Sequence, residues 1–461
     1  GYFYPAYALA TVQRRGPSSH AAANGQVAGD RSTDARHDLL VLLRGWSALL
    51  SLLTVLVTYA AARRVGGRGA SLLAAAIVVC VPLAVREAHF AKADTAAAFA
   101  AALTMLAVLR PSGARGQAAA IGCAAGLAVS TKVMIAVLPV ALYRLAYPRA
   151  ASTRIDRRAL AIGGACLVGT VAVLGAPLLA APLQAWAIVR QLGSALSTAA
   201  WLPGSMKFDG PLAYHVSVSL RHGCGLALAL ATFPAIGMCL LRAGAPRLVA
   251  VLVLCQWGML LASPMVLARF FLPVVPALAV CIASAVEHGV RMIRAPRVRA
   301  AAAGGAAAVL LAAPLGGSIA LVSRLGVDDT RALAGAFIAQ HVPADARIVS
   351  WGAPPEPKPL GTSDYGRPPM GGRQVYKRLP PARWRQADIA YVVHHRYPLA
   401  YSSDPLPAVD GLELVAEFDP FDGVTRASVW EPLDAFYLPL SGFTGVVRPG
   451  PEVLIYRYRP G

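Results

Sequence analysis

The chain has 461 residues, of which 56% are hydrophobic and 14% charged, and its mean hydropathy is +0.54. A soluble protein carries about 25% charged residues, so the composition excludes an ordinary soluble globular protein. The net charge of +20 does not predict a nucleic-acid partner, because many arginines lie in short segments between apolar runs. Arginines in such segments are typical of topology signals and of contacts to the anionic headgroups of membrane lipids.

Apolar runs fill the first two thirds of the chain. A membrane-spanning helix needs about 20 such residues, since its backbone groups must be satisfied within the helix. The sequence therefore predicts a mainly α fold, a polytopic transmembrane bundle of about ten helices. The ten runs cover residues 46–62, 70–85, 95–109, 117–130, 133–147, 159–182, 223–241, 248–263, 270–287 and 300–322.

The basic residues between these runs divide unequally when alternate loops are assigned to alternate sides of the membrane. One side holds Arg63, Arg64, Arg68, Arg110, Arg115, Arg144, Arg149, Arg154, Arg157, Arg158, Arg242, Arg247, Arg291, Arg294, Arg297 and Arg299. The other side holds only Arg86, Lys92, Lys132, Arg190, Lys207, Arg221 and Arg269. The richer side is predicted to be cytoplasmic. The loops 86–94 and 183–222, and both ends of the chain, are then predicted to lie outside the cell membrane.

The tail from Leu325 onward has a different composition, richer in Pro, Asp and aromatic residues. Residues 329–343 have helical spacing, with Asp328 or Asp329 as the N-cap. Strand patterns cover 346–351, 387–395, 412–418 and 452–458, and 352–384 is predicted to be a long loop. We therefore expect three parts: an outer-face loop or amphipathic segment (1–40), a transmembrane helical domain (41–323) and a small extracytoplasmic α/β domain (324–461).

The segment VREAHFAKADTAAAF (85–99) carries the most unusual set of polar residues. Ionisable groups at a bilayer boundary are costly unless they are solvated, paired or functional. Arg86 alone could extend to the lipid headgroups, but the whole set favours chemistry. Arg and Lys can bind a phosphate, while a carboxylate and an imidazole can transfer protons or orient a substrate. The set comprises Arg86, Glu87, His89, Lys92 and Asp94.

Two further cations lie on the same predicted side. Lys132 lies in GLAVSTKVMIAVLP (126–139), between two apolar runs, and Arg269 lies in VLARFFLPVVPAL (267–279). Each could extend to the headgroups or point inward to an anionic ligand, and spacing alone does not separate these alternatives. If they lie close to the 86–94 loop in space, the cations predict a site for a lipid phosphate.

Aromatic residues in the outer segments have two readings. Trp201 and Tyr214 in the 183–222 loop, and Tyr4 in GYFYPAYAL (1–9), could anchor the chain at the membrane interface. Alternatively, their rings could stack on a sugar face or contact the acceptor.

Several kinds of site are not predicted. Six of the seven cysteines lie within apolar runs and none lies in the C-terminal domain, so neither a disulfide framework nor zinc spacing occurs there. The sequence also has no Gly-rich phosphate loop, nucleophile elbow or HExxH motif. We therefore expect a donor carried in the membrane as a lipid, and no metal.

The order and topology of these segments resemble the GT-C superfamily of polytopic glycosyltransferases. The resemblance is to the bacterial branch related to protein O-mannosyltransferases and lipid A aminoarabinose transferases. It rests on FYPAYAL, REAHFAKAD, GLAVSTKVMIAVLPVAL and RFFLPVVPAL, and in the tail on DTRALAGAFIAQHVPADARI and GPEVLIYRYRP.

The resemblance implies a bacterial inner-membrane enzyme. It would transfer a sugar from a polyprenyl-phosphate donor to an acceptor at the outer face, by SN2-like displacement. Asp94 matches an acidic position of the family and, with neighbouring His89, would be catalytic. Arg86, Lys92, Lys132 and Arg269 would bind the lipid phosphate. The family's main catalytic acid is expected upstream of Gly1, and Phe270 stands where a Tyr is more usual.

Two rival functions stay open at this point. A secondary transporter would favour inverted repeats and ionisable residues near the membrane midplane, whereas the polar residues here lie in the predicted loops. A catalytically inactive GT-C-like scaffold would keep the fold without the chemistry. The sugar and the acceptor, which could be a lipid, a glycan or a protein, are not indicated by the sequence.

Overall fold

The computed structural model describes residues 29–110, 115–132, 134–147, 155–179, 190, 210–263, 266–352, 373–377, 379–396, 405–423, 428–431 and 438–460. Tyr4 and Trp201 therefore lie outside the described residues. The chain divides into two compact units, and the boundary falls between Ser318 and Ile319. The first unit is helical, and the second contains the sheet.

In the described residues, the first unit contains eleven helices, the last of which continues into the second unit, together with shorter helical turns. The helices are α1 (Gly29–Val65), α2 (Arg68–Cys80), α3 (Pro82–Ala88), α4 (Asp94–Leu109), α5 (Arg115–Lys132), α6 (Leu138–Ala146), α7 (Arg157–Leu179), α8 (Leu226–Leu241), α9 (Ala245–Leu261), α10 (Val275–Arg291) and α11 (Pro296–Leu325). The turns are Ile135–Val137, Pro211–Tyr214, His215–Leu220 and Ala268–Val274. All ten predicted runs overlap these elements, so the mainly helical prediction is confirmed.

The helices differ in their capacity to cross a bilayer. Among the described residues, four segments are long and apolar enough: Val41–Ala62, Arg157–Ala176, Ala268–Arg291 and Pro296–His341. A fifth would be formed by α2 and α3 together, which bend by 59° at their junction, where Pro82 ends the hydrogen-bonding pattern of α2. The other apolar helices have 10–17 residues. Several predicted runs are therefore shorter or more broken than a simple span.

Helix α1 begins earlier than the sequence predicted. The first predicted apolar run began at residue 46, whereas the helix is continuous from Gly29 and so includes residues 29–40 of the expected loop or amphipathic segment. Neither Pro nor Gly interrupts residues 30–44, so nothing in the backbone chemistry ends the helix there. The polar residues 29–38 thus extend α1.

Helices α5 and α7 pack closely through glycine. A Cβ atom added to Gly122 would collide with the backbone oxygen of Gly163, and one added to Gly126 would lie 2.8 Å from the oxygen of Leu167. Glycines four residues apart on one helix face let two backbones approach, which is the usual device for packing helices in membranes.

Hydrogen bonds join the arginine-rich loops to one another. Both carboxylate oxygens of Glu287, near the end of α10, accept from the amide of Gly67, at 3.0 and 2.9 Å. Arg144 donates to the oxygen of Val108 at 3.1 Å, and Arg242 donates to Ser284 at 3.0 Å. These contacts lie at the helix ends that the arginine distribution assigned to one side.

The second unit contains a five-stranded mixed sheet in the order β2-β1-β3-β5-β4. The strands are β1 (Arg347–Trp351), β2 (Val375–Lys377), β3 (Ile389–Arg396), β4 (Leu412–Phe418) and β5 (Glu452–Tyr458). Strand β1 pairs in parallel with β2 and β3, whereas β5 is antiparallel to β3 and β4.

Each face of this sheet has its own apolar core. Helix α12 (Thr330–His341) packs on one face through Ile338, against Ile348, Val393 and Ile455. On the other face the buried ring of Trp384 packs with Val349, Val392 and Tyr458. The predicted helix and four predicted strands are confirmed, and Asp329 caps α12 by accepting from the amide of Arg331 at 2.9 Å.

The predicted long loop at 352–384 is wrong in part, because it contains β2. The sequence did not indicate this strand, since it has only three residues and pairs with a single neighbour at the sheet edge. Short edge strands carry little of the alternating apolar pattern that identifies strands.

We predict that Gly122→Ala lowers the thermal unfolding temperature of the purified protein, since the new methyl group must push α7 away. Overpacking of this kind costs about 1–3 kcal/mol. Gly164→Ala is the matched control, because a Cβ there meets nothing within 4 Å and alanine favours the helix. Equal unfolding temperatures for the two variants would contradict this packing.

Candidate functional site

Asp94 is the centre of a buried ionic cluster. It is the first residue of α4 and only 3% exposed, at a helix end where the backbone amides favour a negative charge. Its Oδ1 forms an ion pair with Nζ of Lys132, and its Oδ2 lies 3.9 Å from Nε of Arg269. One carboxylate thus faces two cations from distant parts of the chain.

The three charged residues lie at the ends of three helical segments. Lys132 is the last residue of α5, and Arg269 lies in the 3-10 turn Ala268–Val274 that precedes α10. The structure therefore brings together three residues whose proximity the sequence had left open. Because the Lys132 ammonium pairs with Asp94, it points into the protein and does not extend away to the headgroups.

The ring of Phe270 lies beside both cations. Its centroid is 4.1 Å from Nζ of Lys132 and 5.9 Å from Cζ of Arg269. An aromatic face at these distances attracts a cation by about 0.5–2 kcal/mol. Phenylalanine supplies this face without the hydroxyl of the more usual tyrosine, so the ring holds the cations and offers no hydrogen bond.

A second ionic group lies on α3 and the residues that follow it. Arg86 is 1% exposed, and its Nη1 donates to Oε1 of the buried Glu87 at 3.0 Å. Nζ of Lys92 lies 3.9 Å from Oε2 of Glu87. The ring of Phe90 lies 5.4 Å from Cζ of Arg86 and 4.8 Å from Nζ of Lys92. The burial of Arg86 rules out the alternative in which it extends to the headgroups.

The two groups are adjacent in the chain, since Lys92 lies two residues before Asp94. Among the described residues they contain four cations and two carboxylates: Arg86, Lys92, Lys132, Arg269, Asp94 and Glu87. Arg and Lys side chains can bind a phosphate through charge-assisted hydrogen bonds.

An apolar groove of about 220 Å³ adjoins this ionic cluster. Thr95, the neighbour of Asp94, and Leu272, three residues after Arg269, contribute to its walls. Leu52 and Val79 also line it, with 58% and 52% of their surface exposed. The groove therefore has chain neighbours of the cluster in its walls and includes exposed apolar side chains of the helices.

His89 and Tyr214 are placed differently from the cations. His89 is exposed, and its Nδ1 lies 2.7 Å from the oxygen of Val85. No hydrogen bond or ion pair joins it to Asp94 among the described residues. Tyr214 is 1% exposed and packs edge-on against the ring of His215, 5.5 Å away, so its ring is not an exposed anchor at the interface.

Sequence reasoning missed three contributors to this region. Phe90 follows Arg86 by four residues, a spacing that places two side chains on one helix face and could have indicated the contact. The ring of Phe270 could be recognised only from the fold. His215 is fully buried, and its ring centroid lies 6.1 Å from that of Phe271. Its Nδ1 is hydrogen-bonded to Oγ of Ser219 at 2.9 Å. Nothing in the sequence indicates these contacts.

Metal ligation has no support in the described part of the chain, where no three His, Cys, Asp or Glu side chains come together as ligands. The expectation of a metal-free site stays a prediction.

Comparison with known proteins supports the resemblance drawn from the motifs. The profile of the family described as "Dolichyl-phosphate-mannose-protein mannosyltransferase" matches residues 29–194, which is 166 of the 461 residues. The matched segment contains Asp94 and Lys132, whereas Arg269 lies beyond it. Over these residues the match agrees with the resemblance to protein mannosyltransferases. A search of curated proteins found no match.

Three solved structures resemble the chain at low identity. ArnT from Cupriavidus metallidurans in the apo state has a TM-score of 0.49 and 15% identity, over 91% of this chain and 84% of that one. The oligosaccharyltransferase of Archaeoglobus fulgidus has a TM-score of 0.49 and 15% identity, over 77% and 59%. The arabinofuranosyltransferase AftD from Mycobacteria has a TM-score of 0.43 and 18% identity, over 91% and 34%. At these values the function must be inferred from the residues of this chain.

We predict that the ionic cluster is strongly coupled. Asp94→Asn removes the ion pairs that Asp94 forms with Lys132 and Arg269, and removing one partner of a buried ion pair costs up to about 3–5 kcal/mol. The double variant Asp94→Asn/Lys132→Met removes one of those cations, so its thermal unfolding temperature should lie above that of Asp94→Asn alone.

The exposed pair of Arg396 and Glu452, joined at 2.9 Å, is the control for this cycle. Arg396→Met should change stability by about 1 kcal/mol at most, since surface ion pairs contribute little. The single variant Lys132→Met completes the cycle. If the stability losses of Asp94→Asn and Lys132→Met simply add in the double variant, the cluster is not coupled.

Proposed function

We propose that this chain, whose residues 29–194 match the mannosyltransferase profile, is a membrane glycosyltransferase with a polyprenyl-phosphate-linked donor. It transfers the sugar to an acceptor at the outer face of a bacterial cytoplasmic membrane. The observation that carries the proposal is the ion-pair cluster of the buried Asp94 with Lys132 and Arg269, near an apolar groove.

A lipid-linked phosphate fits both the ionic cluster and the apolar groove. The phosphate would bind between Lys132 and Arg269, with Arg86 and Lys92 adding positive charge around it. The first isoprene units would lie along the groove walls formed by Val78, Val85 and Leu272. A nucleotide donor would need a site for a base and ribose in water, and the apolar groove offers no such surface.

The reaction that this site would promote is displacement at the anomeric carbon. An acceptor oxygen attacks that carbon, the bond from carbon to the phosphate oxygen breaks, and polyprenyl phosphate leaves with a second negative charge. Lys132 and Arg269 would stabilise that growing charge, which is the effect expected to contribute most to catalysis.

Asp94 is best suited to position the cations. Its contacts fix the ammonium of Lys132 and the guanidinium of Arg269 on one side of the site. A phosphate could then accept hydrogen bonds from these cations while they keep their ion pairs with Asp94.

His89 keeps the predicted role in proton transfer. A carbonyl oxygen only accepts hydrogen bonds, so the contact to Val85 requires the proton on Nδ1. The lone pair is then on Nε2 of an exposed ring, where it can take a proton from an acceptor or from water.

Action at the outer face rests on the distribution of arginine. The helix ends that carry the ionic cluster belong to the loops with seven basic residues, opposite the loops with sixteen. The positive-inside rule assigns the poorer side to the outside. The same rule is the basis for proposing that the small C-terminal α/β domain is extracytoplasmic.

The direct test is sugar transfer in proteoliposomes supplied with polyprenyl-phosphate mannose, the sugar named in the family description. Release of polyprenyl phosphate is followed by mass spectrometry. We predict that Lys132→Ala reduces the rate by about 10²–10³, the usual effect of removing one group that stabilises transition-state charge. Asp94→Asn should also reduce the rate, because it removes the ion pairs that position Lys132 and Arg269.

Asp156→Asn is the matched control, because Asp156 also begins a helix and accepts from the amide of Ala159 at 2.9 Å, remote from the cluster in sequence. It should retain the wild-type rate. Full activity of the Asp94 and Lys132 variants would remove these residues from the site. If the protein binds polyprenyl phosphate but releases none from any lipid-linked sugar, the result would instead support a catalytically inactive scaffold.

A further inference from the structure

A second groove lies at the other end of the helical unit. It encloses about 520 Å³ between α2, α10 and α11. Helix α10 connects the two ends, since Val275 follows the turn that holds Arg269 and Arg291 ends the helix at the second groove. Seventeen helical residues span about 25 Å, so this groove is separate from the ionic cluster.

The wall of the second groove is apolar and made mostly of small side chains. Alanines of α11 form one side, and small and aliphatic residues of α2 and α10 form the other. The apolar wall residues include Gly69, Ala70, Leu73, Ala283, Val286, Val290, Ala300, Ala303 and Ala307. An apolar groove of about 520 Å³ can accept part of a hydrocarbon chain.

The rim of the groove is positively charged. Arg291 and Arg299 both line it. Arg299 donates from Nε to the oxygen of Ile293 at 3.1 Å and from Nη2 to the oxygen of Arg294 at 3.3 Å, and these bonds fix its guanidinium at the rim. Residues 288–300 contain four arginines and no acidic residue.

The acidic residue of the groove does not cancel this charge. Glu287 lines the groove, but both of its oxygens accept from the amide of Gly67 and one also accepts from Arg291 at 2.7 Å. Its carboxylate therefore holds α2 against α10 and orients Arg291. The arginines around it leave a positive excess at the mouth of an apolar channel.

We propose that this groove is a binding site for an anionic glycerophospholipid. The phosphate would contact Arg291 and Arg299, and one acyl chain would lie along the alanines of α11. Basic pockets between membrane helices select anionic headgroups through the same combination of charge and apolar surface. A zwitterionic lipid lacks the net charge that this rim requires. The site does not depend on the proposed transfer reaction.

The test is lipid binding to the full-length protein in detergent, followed by native mass spectrometry and thermal unfolding. Phosphatidylglycerol should bind at least tenfold more tightly than phosphatidylcholine with the same acyl chains, and should raise the unfolding temperature more. Arg299→Gln should reduce this selectivity at least fivefold. Arg297→Gln is the matched control, because Arg297 is an exposed neighbour that does not line the groove.

A second pair of variants tests the acyl-chain channel without changing charge. Ala303→Phe fills the groove and should abolish the selective stabilisation, whereas Ala301→Phe, at an exposed position that does not line the groove, should preserve it. Equal binding of the two lipids would overturn the proposal. The proposal would also be overturned if each variant and its control lost the selectivity for phosphatidylglycerol equally. That result would indicate that the groove is covered by another part of the chain or by a protein.

Discussion

The ion pairs of Asp94 with Lys132 and Arg269 hold the helical unit together at the place where its chemistry is proposed. Each of these charges would be costly to bury alone, and each is stable because the other two are present. The requirement constrains the fold, because α4, α5 and the turn before α10 must end at one place. Glu87 imposes a similar requirement on Arg86 and Lys92, so two carboxylates organise four cations.

The helix geometry around the cluster follows from this requirement. Pro82 ends α2 and bends the chain by 59° into α3, which places the buried Arg86 and Glu87 beside the ends of other helices. Close packing of α5 on α7 through Gly122 supports the helix that ends in Lys132. At the opposite end, Glu287 joins α10 to the residues between α1 and α2. The two ends of the helical unit therefore carry different charged groups. One end has the cluster of cations and carboxylates, and the other has the arginine-rich groove.

Much of this organisation could be predicted from the sequence, because hydrophobic runs and arginine positions reflect the cost of burying backbone and charge. The ten runs, the cap at Asp329 and four of the strands follow from such local rules. The contacts of Phe270 and the burial of His215 could not be predicted, because they depend on the packing of segments far apart in the chain. Strand β2 was missed because three residues at a sheet edge carry almost no pattern. The inward direction of Lys132 was one of two alternatives that spacing left equal, and its partner Asp94 could not be predicted because the two residues lie on different helices.

The most direct measurement is a cryo-EM structure of the protein in nanodiscs containing polyprenyl phosphate. The account predicts phosphate density within hydrogen-bonding distance of Lys132 and Arg269, with the first isoprene units in the groove beside Thr95 and Leu272. Density for the phosphate at the arginine-rich end, with the contacts of Asp94 unchanged and its groove empty, would contradict the assignment of the cluster as the lipid-phosphate site.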